Sequence, residues 1–292
     1  MIRATLVLIG GLWLASCGPS VDPALDREWP APSPAIWEAT GPDGQRAWLF
    51  GTIHALPDGA HWRTPLLDDV EGQADVLMVE VADLGDGAAA RNAFEERSKS
   101  NGLPPLLARA DAAERDQVAG LLDAADMEEA DFAGTEAWAA ALQLGNAVRC
   151  TDSANGVDRA LLSEMATVRS IESYDSQFAM FDSLSASAQA DLLLSAAQSS
   201  DCERTAKRVE DWLTGNTDAQ LADLERGFRG NEELRDVLLV RRNRLFAESL
   251  AAQLTREPGR SVLLAVGAGH LPGPEGVAAL LEAKGFTLRR IQ

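Results

Sequence analysis

Two short glycine motifs carry histidine, Gly51-Thr52-Ile53-His54 and Gly267-Ala268-Gly269-His270, and each follows an apolar run, Trp48 to Phe50 in one case and Val262 to Val266 in the other. Glycine at the carboxyl end of a strand lets the backbone turn sharply and approach a ligand. A histidine placed there projects into the crevice where α/β sheets bind ligands. The chain has 3 histidines, so a site that needs two must draw on His54, His61 and His270. His61, in Gly59-Ala60-His61-Trp62, reads as part of a surface loop.

Glu80 interrupts a third apolar run, Val76 to Val81, near its carboxyl end. A lone carboxylate there must reach water, find a cationic partner or bind a metal, because burying it uncompensated is costly. Beside two histidines, metal ligation is the favoured reading. Two neutral imidazoles and one carboxylate leave a coordination position open for water, as hydrolytic metals require. Such a set does not choose among zinc, manganese and cobalt. Glu80 cannot comfortably be both the sole carboxylate ligand and a general base, so Glu172 and Asp158 are candidates for a second carboxylate, the alternative for each being a helix cap or a surface charge.

Arg242 falls on the apolar stripe of a helix read over Arg235 to Leu254, marked by Leu238, Leu239, Leu245, Phe246, Ser249, Leu250, Gln253 and Leu254, with Asn243 beside it. Arg241 and Arg244 point away from that stripe. A guanidinium on a buried face needs an anionic partner, which here is Glu80, a substrate carboxylate or an oxyanion formed during reaction.

The elements that must position these residues are strand-like at both ends of the chain. Ile36 to Thr40 and Arg46 to Ile53 flank the turn Gly41-Pro42-Asp43-Gly44-Gln45 and read as a hairpin. A short helix over Pro65 to Gly72 and a buried strand over Asp75 to Val81 follow; Ser261 to Val266, a helix over Pro274 to Lys284 and a strand over Phe286 to Ile291 close the chain. Between them, Gly87 to Glu257 is mostly helical in spacing, with one strand candidate at Val168 to Glu172. The fold class expected is α/β (α+β): a central sheet built from N- and C-terminal strands, with a large helical middle insertion.

The chain has 292 residues, 46% hydrophobic and 24% charged, which describes a globular protein. Its 26 basic side chains against 45 acidic ones give a formal charge of −19, so nucleic acid is excluded as a partner and an anionic membrane surface is a poor one. There is no HExxH helix, no GxSxG elbow and no phosphate loop.

Met1-Ile2-Arg3 and the apolar run from Ala4 to Ala15 are too short to span a bilayer and fit a secretory leader. The run ends in Leu14-Ala15-Ser16-Cys17-Gly18, which resembles the bacterial lipobox. The expected layout is a lipoprotein signal peptide over 1–16, a Pro- and Ser-rich tether over 17–34, and a single domain over 35–292. Lipid on Cys17 would then be the membrane attachment, and Gly18 is the residue expected for outer-membrane sorting, facing the periplasm of the bacterial cell envelope. Cys150 and Cys202 remain, either as a disulfide or as separate thiols; neither lies in a CxxC pair, which removes the zinc-knuckle and thioredoxin readings.

Taken in order, Trp48-Leu49-Phe50-Gly51-Thr52-Ile53-His54-Ala55-Leu56-Pro57, Ala74-Asp75-Val76-Leu77-Met78-Val79-Glu80, Arg242-Asn243 and Gly267-Ala268-Gly269-His270-Leu271 resemble the TraB/GumN family, whose relatives include the animal Tiki metalloproteases. Gly156-Val157-Asp158 and Ile171-Glu172-Ser173 leading to Gln177 are weaker marks, the Ile and Ser departing mildly from the family's Leu-Glu-Thr. The resemblance implies a metal-dependent hydrolase, a peptidase in the Tiki branch, with His54, Glu80 and His270 at a divalent metal and Arg242 beside them. A peptide or small molecule would be the substrate. The alternative is a non-catalytic envelope lipoprotein that binds haem, a peptide or a polymer in the same cleft.

Overall fold

The structure is a computed structural model that describes residues 22–84 and 87–292. The expected signal peptide, Cys17 and the first part of the expected tether lie outside the described residues.

The central strands form where the sequence offers short runs of Val, Leu, Ala and aromatic residues that bury both faces, and the edge strands, half-exposed, carry Arg, Ser and Thr. Six strands make one mixed sheet in the order β4-β3-β5-β2-β1-β6: β1 Ile36–Thr40, β2 Arg46–Thr52, β3 Val76–Val79, β4 Val168–Ser170, β5 Val262–Gly267 and β6 Thr287–Arg290. β1 and β2 are the expected hairpin, closed by a turn in which Gly44 takes φ +81°. β2, β5, β3 and β4 run parallel, whereas β1 is antiparallel to both β2 and β6. The last long strand of the chain, β5, is therefore threaded between the two earliest parallel ones, with Thr52 opposite Gly267 and Val79 opposite Ala265. That register brings the first glycine motif, Glu80 and the second glycine motif to one edge of the sheet, the carboxyl ends of its parallel strands.

The helices in chain order are α1 Pro65–Gln73, α2 Gly87–Arg97, α3 Arg115–Ala124, α4 Ala137–Ala147, α5 Val157–Glu164, α6 Tyr174–Asp182, α7 Ala186–Ala196, α8 Cys202–Leu213, α9 Thr217–Gly227, α10 Glu232–Arg235, α11 Arg241–Arg256 and α12 Val277–Ala283. Alternation along β2 sorts them into layers. Trp48 and Phe50 face α1, α5 and α8 through Leu67, Val70, Val157, Leu161, Val209 and Trp212. Ala47 and Leu49 face α11 and α12 through Phe246, Leu250, Leu254, Val277 and Leu281. Phe50 is fully buried, so truncating it to Ala would cost about 3–5 kcal/mol. α3, α4 and α7 share a separate core around Leu121, Phe132, Leu144 and Leu193, the body of the helical insertion.

Three details differ from the expected elements. The helix read as continuous from Arg235 passes through a π-helical stretch, Asp236–Val240, before α11. The wider turn changes the phase between the residues on its two sides. The buried face of α11 is consequently Asn243, Phe246, Ala247, Leu250, Gln253 and Leu254, while Leu245, assigned to the stripe, is 40% exposed. The third strand ends at Val79 rather than Val81. Finally, part of the expected tether lies on the body: Leu25 is buried, Trp29 packs against the core below β2, and the Ser33 amide donates to the Leu213 carbonyl. No helix among the described residues is long and apolar enough to cross a membrane.

Candidate active site

Close packing joins the two motifs. A side chain on Gly51 would drive its Cβ to 2.7 Å from the Ala268 backbone, so the first motif must carry glycine there for the second to lie against it. Gly267 is the centre of the arrangement. A Cβ built on it would meet Glu80 Oε1 at 3.3 Å, His270 Cδ2 at 3.4 Å and His54 Nε2 at 3.8 Å. Residues far apart in the chain thus surround one small space that only glycine leaves open.

Each of these side chains is held from behind. The Val157 amide at the start of α5 donates to the Ile53 carbonyl, which docks the helix on the first motif and delivers Asp158 from its first turn. Asp158 Oδ2 lies 2.8 Å from His54 Nδ1, and its Oδ1 accepts the Thr52 hydroxyl at 2.6 Å. Held in this way, His54 presents Nε2 to the site, and its ring is 66% exposed to the cleft. The protein mass around the cleft desolvates the ring although its surface is open, and this pulls the imidazole pKa down. The charge and hydrogen bond of Asp158, aided by Glu80, outweigh it and raise the value to about 9. His54 is a cation at neutral pH.

His270 is the opposite case. Asn243 Nδ2 donates to the Glu275 carbonyl at 2.7 Å, which turns Asn243 Oδ1 toward His270 Nδ1, also at 2.7 Å. An amide oxygen only accepts, so the ring carries its proton on Nδ1 and leaves Nε2 with a lone pair. Arg242 Nη1 approaches that nitrogen at 3.3 Å, and Phe246 packs edge-on at 5.0 Å. Burial, then the Arg242 charge, lowers this imidazole to about 3. His270 is neutral.

Arg242 is the hub. Its Nε donates to Glu172 Oε1 at 2.9 Å and its Nη2 to Glu172 Oε2 at 2.7 Å, a two-pronged pair, and Nη2 also contacts Glu80 Oε2. Gln177 Nε2 donates to Glu172 Oε2 at 2.9 Å, and the guanidinium stacks 5.2 Å from the Phe246 ring centre. Glu80 Oε1 accepts the Gly267 amide at 2.7 Å. Burial opposes the Glu80 charge, but Arg242, the imidazoles and that amide hold the carboxyl at about 2. The two carboxylates in turn raise the Arg242 guanidinium above its ordinary range, against burial.

His54, Glu80, Arg242 and His270 therefore meet, together with Glu172, Asp158 and Asn243. His61 does not: it is exposed beside a separate cavity. Thr52, which steadies Asp158, was not singled out, although a buried hydroxyl within the first motif is a signal for it. A cavity of about 560 Å³ opens from His54, Arg242 and His270 and runs between α8, α9 and the π-helical stretch. Its remaining lining includes Arg208, from an amphipathic helix, and Arg149, from the loop after α4, and neither pattern marks chemistry. Cys150 and Cys202 are joined as a disulfide with a Cα–Cα distance of 5.6 Å.

The donor types suit a divalent ion, since both imidazoles have their Nδ1 side anchored by an oxygen acceptor, as metal-bound histidines do. Their arrangement does not. Arg242 takes both Glu80 Oε2 and the His270 Nε2 lone pair, and no group of three or more His, Cys, Asp or Glu among the described residues is placed to hold a metal ion.

A mixed sheet that gathers imidazoles, carboxylates and a guanidinium at the ends of its parallel strands, beside a deep cleft, defines an α/β protein with an enzyme-like site. The chain belongs to the TraB/PrgY/gumN family, which it matches over residues 35–290. It is also 33% identical over 79 residues to a protein named Metalloprotease TIKI homolog from Amphimedon queenslandica, a match that covers 27% of this chain and 15% of that protein. No solved structure matches.

Proposed function

We propose that the protein is a hydrolase of peptide or related acyl bonds that works at the Gly267 space. The observation that carries this reading is the meeting of His54 Nε2, Glu80 and His270 within 3.8 Å of one point at the head of a cavity. Environments that push two similar groups apart in pKa assign acid and base. His54, near 9, is the proton donor to the leaving group. Glu80 Oε1, which faces the Gly267 space, orients the attacking water and takes up its proton, the neutral His270 keeps its Nε2 on Arg242, and Arg242, fixed by Glu172, faces the charge that builds on the carbonyl oxygen.

The likeness to a metalloprotease supports the finer reading, a divalent ion (zinc, manganese or cobalt) at His54, Glu80 and His270. Because Arg242 holds two of those three donors, no step is assigned to an ion. The N-terminal sequence supports a lipid anchor on Cys17, in the bacterial outer membrane facing the periplasm.

Turnover of a peptide and ester panel by the purified protein, after chelation and again with each ion restored, tests the reading. Hydrolysis lost in His54→Ala and Glu80→Gln is expected. No turnover of any member with or without ions overturns it. Full activity after chelation would remove the metal from the reading and leave the acid–base chemistry.

A further inference from the structure

The cavity is lined by guanidiniums in a strongly negative chain. Its charged lining, apart from the two histidines, consists of Arg149 and Arg208 against Asp223, with Arg242 already paired to Glu80 and Glu172, although the chain as a whole has formal charge −19. Its apolar wall is formed by Phe181, Trp212, Leu224, Phe228, Leu238 and Leu239. At about 560 Å³ it has the size of a small-molecule site.

α8 sets the direction of this cavity. Trp212 Nε1 donates to the Gly51 carbonyl at 2.8 Å, which pins one end of the helix to the first motif. Arg208 lies four residues earlier on the same lining face, about 6 Å along the axis. Cys202, the first residue of α8, is bonded to Cys150, so the disulfide holds Arg149 on the same cavity.

Neither guanidinium is used up. Arg208 spends only Nε, on Asp223 Oδ2 at 2.9 Å, and its terminal nitrogens donate to nothing among the described residues. Asp223 is shared with Arg204 at 2.8 Å and Arg226 at 3.0 Å, so three guanidiniums stand on one carboxylate and the cluster is left positive. Arg149 donates to the Thr151 carbonyl and to Asn146 Oδ1, both uncharged, and pairs with no carboxylate among the described residues.

We infer that Arg149 and Arg208 bind a carboxylate at the end of an apolar ligand, with the ligand's body along the aromatic and leucine wall and its reactive bond toward Gly267. Guanidiniums with free N–H groups match a carboxylate's two oxygens. The substrate class is then a short apolar peptide or acyl compound with a free acid terminus. Calling this ligand a substrate rests on the hydrolase reading; the binding itself does not.

Calorimetric titration of the full-chain protein with N-acetyl-phenylalanyl-leucine and with its C-terminal amide tests this. The acid should bind at least about tenfold more tightly, the worth of one charge-assisted pair. In Arg149→Gln/Arg208→Gln the preference should collapse while the amide binds as before, and each single variant should lose part of it. Equal affinities in the native protein, no binding of either peptide, or a full preference surviving in the double variant overturns the inference. A protein that prefers the acid and hydrolyses nothing sinks the hydrolase reading alone; one that hydrolyses peptides without that preference sinks this subsite alone.

Discussion

Asn243 and His270, on a helix and in a strand-end loop, share a hydrogen bond of 2.7 Å whose polarity is set by the second bond of Asn243 to the Glu275 carbonyl. The proton of His270 is thereby committed to Nδ1. Asn243→Leu removes the acceptor at similar volume and leaves the buried Nδ1–H unpaired, at a cost of about 1–3 kcal/mol. Nitrogen NMR of the imidazoles should report the Nδ1–H form in the native protein and a mixture in the variant. An unchanged tautomer in Asn243→Leu would show that Asn243 does not set it.

Arg242 is 14% exposed and bridges two carboxylates that are more buried than it is. Arg242→Leu should destabilise the fold by about 3–5 kcal/mol in urea unfolding at neutral pH, because Glu80 and Glu172 lose their shared partner. The deficit should shrink in acid, where the orphaned carboxylates can protonate. Arg242→Lys keeps the charge without the planar fork and should fall between the two.

The motifs were legible because their chemistry is local: glycine, then histidine, after an apolar run. Glu80 and Arg242 were visible as charges out of place in apolar patterns. Asp158 and Glu172 carried no such contrast, since Asp158 looks like any acidic residue in the first turn of a helix and only docking of α5 on Ile53 gives it a histidine. The strand positions at both chain ends followed from composition. The order β4-β3-β5-β2-β1-β6 did not, because nothing in a run of Val and Leu names its neighbour. Leu245 was misplaced because the π-helical stretch alters the helix period, which a fixed spacing cannot register.

His54 and Glu80 have opposite dependences on pH. The His54 pKa is raised to about 9, so its contribution to stability is complete below its ordinary value of about 6.5 and is lost as pH rises through 9. Glu80 is lowered to about 2, so its contribution is present above its ordinary range and is lost as pH falls toward 2. Turnover should fall on the alkaline side as the donor loses its proton. An NMR titration should place His54 near 9 and Asp158→Asn should bring it down; a native midpoint in the ordinary range would contradict the assignment.

Gly267→Ala puts a methyl group into the space between the two imidazoles and Glu80. Gly267 has φ −47°, outside the left-handed region, so alanine adds no positive-φ strain, but its Cβ would press on Glu80 Oε1 at 3.3 Å and His270 Cδ2 at 3.4 Å, which must give by a few tenths of an ångström. Stability should fall by about 1–3 kcal/mol, the usual cost of mild overpacking. Activity should fall by more than about tenfold, since the loss of one positioned contact to a reacting group is worth that much. Native turnover in this variant would show that the reaction occurs elsewhere.

The disulfide closes a separation of 52 residues between Cys150 and Cys202. Reduction, or Cys150→Ser/Cys202→Ser, should lower stability by roughly 4 kcal/mol on the loop-entropy scale. Urea unfolding with and without reductant measures it, and coincident curves would show that the bond does not constrain the unfolded chain.

β5 lies between β2 and β3, and the second glycine motif follows it directly, so the centre of the sheet is supplied by a segment far later in the chain than the strands on either side of it. While the polypeptide is still being synthesised, the two earlier strands have a gap between them and Glu80 has no Gly267 amide to accept. A chain that has emerged only as far as α11 therefore lacks the assembled site, and its exposed strand edges are sticky until β5 arrives. Truncation before β5 would abolish the site and split the sheet together, so no such shortened product could retain one without the other.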